Sequence, residues 1–430
     1  MVMETLPMIN KGENMENILE IANKIKKEGG NLYLVGGAVR DQLLGRQVCD
    51  KDYCVTGITS KKFQELFPKA KSRGKSFEVF QLYGQEFAMS RTEKKQGKGH
   101  KEFEIQTGEQ ITIKEDLARR DITINSMAQD CLTGELIDLY GGREDLKNKT
   151  IRATTKSFSE DPLRVYRVAR MAAILEFDVE ENTIKLMNNL KPELKTLSKE
   201  RVFTEFKKAL EAPRPSIFFK VLKKAQVLDV HFKEINDLIG ALQPEKYHPE
   251  GDAFCHTMMA LDTSARLTEK LEIRFASLVH DLGKGITPKN QYPHHYGHEI
   301  NGVPLVRKFG ENIKAPNLWI KCGEVACREH MRGGIFNKMK PNKKIEFIER
   351  IDKSVLGLDG LQIVVISDKL RGDTDKQDID NFEKIGKQIL SSINGKYIID
   401  KYGMQSGVEF GRKLHEERVK FYNENFNKQK

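Results

Sequence analysis

Two acids one residue apart, Asp50 and Asp52, stand in "CDKDYCV", where an apolar strand should run. Strand side chains alternate between faces, so a strand here turns both carboxylates to one side. Carboxylates held that close raise each other's pKa unless a cation lies between them. Mg²⁺, which takes one or two carboxylates together with substrate phosphates, suits the pair. Paired metals at such a site activate an attacking hydroxyl and steady a leaving pyrophosphate. Glu93, in "EFAMSRTE", is the candidate third carboxylate. A bare DxD recurs by chance, and an exposed strand edge with ordinary acids is the plain alternative, so the neighbouring motifs carry the weight.

Upstream, "LVGGAVRDQLLG" sets Gly36 and Gly37 beside Arg40. Backbone N–H groups without a Cβ, next to a cation, make a phosphate cradle that is neither GxGxxG nor a P-loop. Downstream, "EDLARRDITINSMAQD" holds Arg119, Arg120, Asp121 and Asn125. Adjacent arginines before an acid suit a triphosphate clamp oriented by that acid. In "SEDPLRVYRVARMAA" a helix is expected to start at a Ser159 cap, with Glu160 and Asp161 at its positive end and Pro162 in its first turn. Asp161, Arg164, Arg167 and Arg170 then follow at three-residue steps, drifting about 60° per step. Such a row serves base edges at one end and phosphates at the other, or forms a salt-bridged solvated face.

A second cluster is built on histidine. Six of the ten histidines lie between Pro244 and Gly302. His280 and Asp281 sit inside the apolar run "FASLVHDLG", where an unpaired buried acid is costly. A divalent metal bound by imidazole and carboxylate satisfies both. His256, His294, His295 and His298 flank this pair, Lys284 in "HDLGK" is placed to face a phosphate, and His330 in "REHM" is a further candidate ligand.

The elements that must position these residues change character along the chain. A helix over 16–27 ends at Gly29-Gly30, and β-like runs follow at "LYLVGG", "DYCVTG", "FEVFQLYG", "EFAMSRTE" and "ELIDLYGG". "KKQGKGHK" is basic, glycine-rich and aperiodic, which marks a loop; after Thr155 helical spacing takes over. Lys and Arg total 72 against 62 acids, a net charge of +10, which suits RNA, nucleotide or both, and suits a lysine-rich solvated surface equally. No apolar run reaches the roughly 18 residues of a membrane span. The N-terminus has no signal-peptide centre, and the six scattered cysteines form no CxxC pair, so a reducing cytoplasm is expected.

Together the motifs "LVGGAVRDQLLG", "DKD", "RRDITIN", "LIDLYGG" and "EDPLRVYRVAR", in that order, resemble the class II nucleotidyltransferases, the family of tRNA CCA-adding enzymes and bacterial poly(A) polymerases. From about Asn31 onward the chain is similar to CCA-adding enzymes with a C-terminal HD domain. The resemblance implies an α/β nucleotidyltransferase head, a mixed sheet with helices, followed by an all-α neck and body and an all-α HD domain. The corresponding boundaries are an N-terminal extension over 1–30, head 31–155, neck and body 156–245, HD domain 246–375 and helical tail 376–430. It further implies Mg²⁺ on Asp50 and Asp52, nucleotide contacts from Gly37, Arg40, Arg120, Arg167 and Arg170, and Asp161 with Arg164 as a protein template for CTP and ATP. The partners it implies are tRNA and these two nucleotides, with no membrane; the aperiodic loop sits where the family switches from C to A addition.

His256, His280 and Asp281 resemble the HD phosphohydrolase motif, which implies a divalent transition metal and a phosphate contact at Lys284. Where the family carries an acid late in the domain, this chain reads "SDKLRG". Without a gap Lys369 fills the acid's slot and Asp368 falls one position early, turned by about 100° on a helix. The expected function is addition of C, C and A to tRNA 3′ ends. A-adding, CC-adding and poly(A) relatives are the alternatives within the family, and an RNA-binding HD phosphohydrolase with a non-catalytic head is the alternative outside it.

Overall fold

The computed structural model describes residues 13–48, 50–73, 79–95, 103–246, 248–369 and 381–427; the side chains of 13–16, 93–95 and 103–107 lie outside this description. The expected switch loop falls outside it beyond Lys95. The chain forms two compact units, Met1–Ser198 with Lys224–Val227, and Lys199–Lys223 with Leu228–Lys430.

In the first unit, α1 (Glu13–Lys27) leads into β1 (Asn31–Val35), α2 (Gly37–Leu43), β2 (Asp52–Thr56), α3 (Ser60–Leu66), β3 (Lys71–Arg73), β4 (Val79–Leu82) and β5 (Gln85–Met89). After β6 (Arg91–Lys95) and β7 (Phe103–Thr107) come α4 (Ile113–Ala118), β8 (Met127–Asp130), β9 (Leu136–Asp138), α5 (Gly142–Lys147), β10 (Thr150–Ile151), α6 (Arg164–Leu175), β11 (Asp178–Val179), α7 (Glu181–Asn189) and α8 (Lys191–Leu194). Seven strands make one mixed sheet in the order β3-β4-β5-β2-β1-β8-β9. Its β2–β5 pair is parallel and its other pairs are antiparallel.

Alternation along β2 decides which chemistry faces which helix. Tyr53 stacks on Phe87 with ring centroids 5.2 Å apart, and Phe63 of α3 closes over Phe87 and Phe80. Cys54 points the other way, into a cluster with Val35, Ala128 and Leu117 of α4. Asp52 shares the parity of Cys54, so it lies on the α4 side of the sheet. The helix itself is fixed by a capping box in which Thr112 and Glu115 exchange hydrogen bonds.

Three expected elements are shifted. β2 begins at Asp52 rather than before Asp50, because its last partner on β1 is Val35 and the chain turns away at Gly36, where φ is 71°. "EFAMSRTE" is two strands: Ser90 donates its N–H to Val55 at 2.8 Å and its hydroxyl to Ile111 at 3.0 Å, and Glu93 continues on β6, which pairs only with β7. The helix expected from Ser159 begins at Arg164. Pro162 holds Asp161 extended, at φ −116° and ψ 110°, and a 3-10 turn over Lys156–Glu160, capped by Thr155, precedes it.

The second unit is helical. It comprises α9 (Lys199–Leu210), α10 (Ser216–Lys224), α11 (Lys233–Asn236), α12 (Ala253–Leu267), α13 (Leu271–Val279), α14 (His298–Asn312), α15 (Asn317–Gly334), α16 (Pro341–Asp352), α17 (Gly357–Lys369), α18 (Phe382–Ser392), α19 (Gly395–Tyr402) and α20 (Val408–Asn425). One core gathers Phe206, Phe218, Phe219 and Phe232 at 5.3–6.4 Å between centroids; another joins Ile345, Phe347, Leu361, Val365 and Phe382. Among the described residues no helix is long and apolar enough to cross a membrane.

The "LIDLYGG" motif is scaffolding. Asp138 accepts the N–H groups of Gly142 and Arg143, both at 2.8 Å, and ties the start of α5 to β9. A Cβ on Gly142 would stand 2.4 Å from the Thr123 carbonyl oxygen, in the turn that carries Asn125. Gly142→Ala should therefore cost about 1–3 kcal/mol by overpacking. Chemical denaturation followed by circular dichroism would show the loss, and an unchanged midpoint would contradict the tight approach.

Candidate functional sites

Arg119 and Arg120 come from the end of α4, three and four residues after Asp116, a spacing that puts all three on one helix face. Asp116 holds both: Arg119 donates to its Oδ1 at 2.6 and 3.0 Å, Arg120 to its Oδ2 at 3.1 and 3.3 Å. The acid expected to orient these arginines, Asp121, does other work. Its Oδ2 accepts from Arg167 of α6 at 2.8 Å, and its Oδ1 accepts from Asn125 at 3.2 Å and from the Ile122 N–H at 2.9 Å. Asn125 in turn accepts from Arg40 of α2 at 2.6 Å, and Arg40 forks onto Asp41. One polar chain, Arg40–Asn125–Asp121–Arg167, thus joins three motifs distant in sequence. Burial would raise the Asp121 pKa, but Arg167 and Arg164 hold it down to about 2.

Gly36 makes room for this assembly. A Cβ there would lie 2.8 Å from Arg120 Nη1, so the first glycine of the pair admits a guanidinium. A Cβ on Gly37 would come 3.4 Å from Arg40 Nη2. Arg120 also acts on Asp52, whose pKa is raised by desolvation and by Glu86 and Asp50 against the lowering effect of Arg120.

Asp50 and Asp52 line one cavity of about 780 Å³, and Glu86 lines it with them. Glu86 stands directly opposite Asp52 in the β2–β5 register. Sequence reading missed it. The alternation of "QEFAM", with Phe87 and Met89 buried, puts Glu86 on the opposite face from the core, but only the parallel pairing reveals its partner. Glu93 sits on the separate β6–β7 ribbon, and its side chain is outside the described residues. Arg164 is buried and donates to the carbonyls of Ser157 and Arg119, both at 2.6 Å. Asp161 accepts the Leu163 N–H at 3.0 Å, and Arg170 is half-buried on α6.

In the second unit, five segments converge: His256 on α12, His280 and Asp281 after α13, His298 at the start of α14, His330 on α15 and Asp368 on α17. His256 Nε2 lies 2.9 Å from Asp368 Oδ1, and His280 Nε2 lies 3.5 Å from the same oxygen. Asp368, not Lys369, therefore fills the acid's place; Lys369 turns to the Gly334 carbonyl at 2.6 Å. The ungapped alignment failed because it fixed the phase of α17 by residue count. Ligand atoms of His256, His280, Asp281 and Asp368 lie within 4.8 Å of one another, as metal ligands do. Glu250 accepts from His256 Nδ1 at 2.8 Å and orients the ring. Burial would lower the His280 pKa, but Asp281 and Asp368 push it up to about 10: two buried carboxylates demand positive charge here. His295 is structural, with Nδ1 near Thr287 Oγ1 at 2.9 Å and Nε2 near the Leu242 carbonyl at 2.8 Å. His294 stacks on Tyr296. Lys284 contacts Asp281 Oδ2 and Gln243 at 2.6 and 2.7 Å, and lines a cavity of about 460 Å³ with His298, His330 and Asp368.

Comparison with known proteins matches three segments. Residues 32–152 fit the Poly A polymerase head domain, 176–239 the probable RNA and SrmB-binding site of polymerase A, and 253–353 the HD domain. The chain is 42% identical over 328 residues to the multifunctional CCA protein of Vibrio parahaemolyticus, covering 75% of this chain and 80% of that one. It is 42% identical over 328 residues to that of Hahella chejuensis, covering 74% and 77%. Among solved structures, the Thermotoga maritima CCA-adding enzyme complexed with tRNA shares the fold at 20% identity and a TM-score of 0.65, covering 96% and 92%. The Bacillus stearothermophilus CCA-adding enzyme in complex with CTP does so at 21% and 0.59, covering 96% and 94%.

The Asp121 ion pair carries a pH signature. Its depressed pKa contributes stability that is fully present above the unfolded value near 3.9 and is lost as pH falls through about 2. Asp121→Asn should cost about 2 kcal/mol at pH 7, the partial exposure of Arg167 limiting the figure. Denaturation of both proteins at a series of pH values should show this difference shrink between about pH 4 and pH 2; a constant difference would remove the ion pair from the account.

Proposed function

Because the chain belongs to the family of the multifunctional CCA proteins, we propose that it adds C, C and A to the 3′ end of tRNA, drawing on CTP and ATP and releasing pyrophosphate. The observation that carries this reading is the gathering of three carboxylates at one cavity beside an ordered set of arginines. Asp50 and Asp52 would hold Mg²⁺, and Glu86 replaces Glu93 as the third acid. The fit rests on Asp52, whose desolvated carboxyl is further raised by Glu86 and Asp50, a strain that a cation relieves. When bound, Mg²⁺ supplies activation of the attacking 3′-hydroxyl and charge neutralisation at the pyrophosphate. Arg40, Arg120, Arg167 and Arg170 bind and orient the triphosphate, with Gly36 and Gly37 keeping the approach open.

Asp161 and Arg164 form the nucleotide template, one accepting and the other donating. The bond from Arg164 to the Arg119 carbonyl keeps template and clamp in register. Segments 31–155, 156–245 and 246–375 serve as catalytic head, neck with body, and HD domain, between the extension 1–30 and the tail 376–430. The surplus of basic residues holds tRNA by phosphate and shape contacts, so binding should weaken with salt, and work on tRNA puts the protein in the cytoplasm.

A second activity is favoured by the buried His–Asp cluster: hydrolysis of a phosphoester at the HD centre. His256, His280, Asp281 and Asp368 would hold a divalent transition metal, which supplies an activated water when bound. Lys284 is placed in the cavity wall to meet the phosphate.

Purified protein given tRNA lacking its CCA end, with labelled CTP and ATP singly and together, should yield an ordered gain of three nucleotides. Long A tails or a single added base would assign it to the A-adding or CC-adding relatives. Asp52→Asn should lower incorporation by at least about 10²-fold, with tRNA binding unchanged within about two-fold; retained activity would remove Asp52 from the metal site. His280→Ala should abolish metal-dependent phosphate release while incorporation continues. Loss of neither activity would separate the cluster from hydrolysis.

A further inference from the structure

Asp281 is fully buried, and among the described residues neither of its carboxylate oxygens has a hydrogen bond of good geometry. The two oxygens face different neighbours. Oδ2 lies on the side of His280 Nε2 at 3.4 Å, His256 Nε2 at 3.7 Å and Lys284 at 2.6 Å. Oδ1 lies on the other side, 3.2 Å from His298 Nε2 and 3.5 Å from His330 Nε2. Those two ring nitrogens are themselves 3.3 Å apart.

Tautomers follow from the far side of each ring. His298 Nδ1 lies 2.7 Å from the His295 carbonyl, and His330 Nδ1 lies 2.9 Å from the Cys327 carbonyl and 3.1 Å from that of Ala326. A carbonyl only accepts, so both Nδ1 atoms carry the proton and each neutral ring turns a lone pair inward from Nε2. Three acceptors, two nitrogens and a carboxylate oxygen, then point at one another in a dry interior with no donor among them. Such an arrangement is repulsive unless a proton or a cation sits at its centre. The backbone bonds at Nδ1 are also the outer contacts that fix a metal-binding imidazole. The nitrogen and oxygen atoms of Asp281, His298 and His330 form a second ligand group that shares only Asp281 with the first.

We infer that the HD centre binds two divalent cations, with Asp281 bridging them and His298 and His330 completing a second position. The inference rests on the HD reading above and extends it. Two ions of a bridged pair stand about 3.5–4 Å apart and clamp both the attacking and the leaving oxygen of a phosphoester. Borderline metals such as Mn²⁺, Co²⁺ or Ni²⁺ suit the mixed nitrogen and oxygen set.

The test uses the full chain carrying Asp50→Asn and Asp52→Asn, which silences the head, freed of metal and titrated with Mn²⁺ alone. Bound metal is counted by equilibrium dialysis, and electron paramagnetic resonance reads coupling between ions. Two equivalents per chain with an exchange-coupled spectrum are expected. His298→Gln and His330→Gln should each reduce the count to one and leave an uncoupled six-line spectrum. One equivalent and no coupling in the parent, with both variants unchanged, would overturn the second site and leave the single-metal reading standing; the bridging proton would then lie on His298. No bound Mn²⁺ in the parent would overturn both readings. The parent spectrum needs no variant, so a substitution that fails to fold does not decide the outcome.

Discussion

The head is organised around one buried carboxylate. Asp121 is almost entirely removed from water, and an ion so placed must recover its hydration from the protein. It does so with Arg167 from α6, Asn125 from the turn after α4, and its neighbour's amide. Asn125 passes the constraint to Arg40 on α2, so three segments take fixed positions from one acid. Asp116 repeats the device over a single helical turn for Arg119 and Arg120. The cations that meet a triphosphate are thus set before it arrives, which lowers the reorganisation needed at the moment of reaction.

The two sites differ in the hydration of their acids. Asp50 and Asp52 are exposed at an open cavity, which suits a hard ion that keeps part of its water and takes further oxygens from the substrate. Asp281 and the histidines around it are enclosed, and imidazole nitrogen dominates the set. An ion entering there exchanges water for nitrogen, which favours a transition metal over Mg²⁺. The same chain therefore offers two divalent sites that need not compete for one metal.

Local patterns in the sequence were legible because they obey local rules. The strand alternation around Asp52, the stop at Gly29-Gly30 and the buried His280-Asp281 pair all follow from residues within a few positions of each other. What was missed depends on pairing across distance. Glu86 joins the acids only through the parallel β2–β5 register, which no single strand encodes. Gly36 was read as space for a phosphate, whereas its missing Cβ first accommodates Arg120. The Arg119–Arg120 pair was assigned to the acid next in sequence, although helical spacing ties it to Asp116. Asp368 was displaced by an alignment that counted residues along α17 instead of following its packing. His298 was noted and given no role, because nothing in "HHYGHE" shows which histidine turns inward.

One physical criterion sorts the acids that the sequence left undivided. Asp116, Asp121, Asp138, Asp145 and Glu250 each accept from named N–H, imidazole or hydroxyl groups, and their charge is spent on the fold. Among the described residues, no side-chain hydrogen bond or ion pair holds Asp50, Asp52 or Glu86, and none of good hydrogen-bond geometry reaches Asp281. A carboxylate that the fold gathers with others and leaves without donors has a raised energy that only an external cation removes. Counting donors at each oxygen, rather than counting acids, therefore separates the residues that hold the protein together from those that hold a metal. By that count Glu86 belongs with the DKD pair, and Asp281, open at both oxygens, belongs to two positions at once.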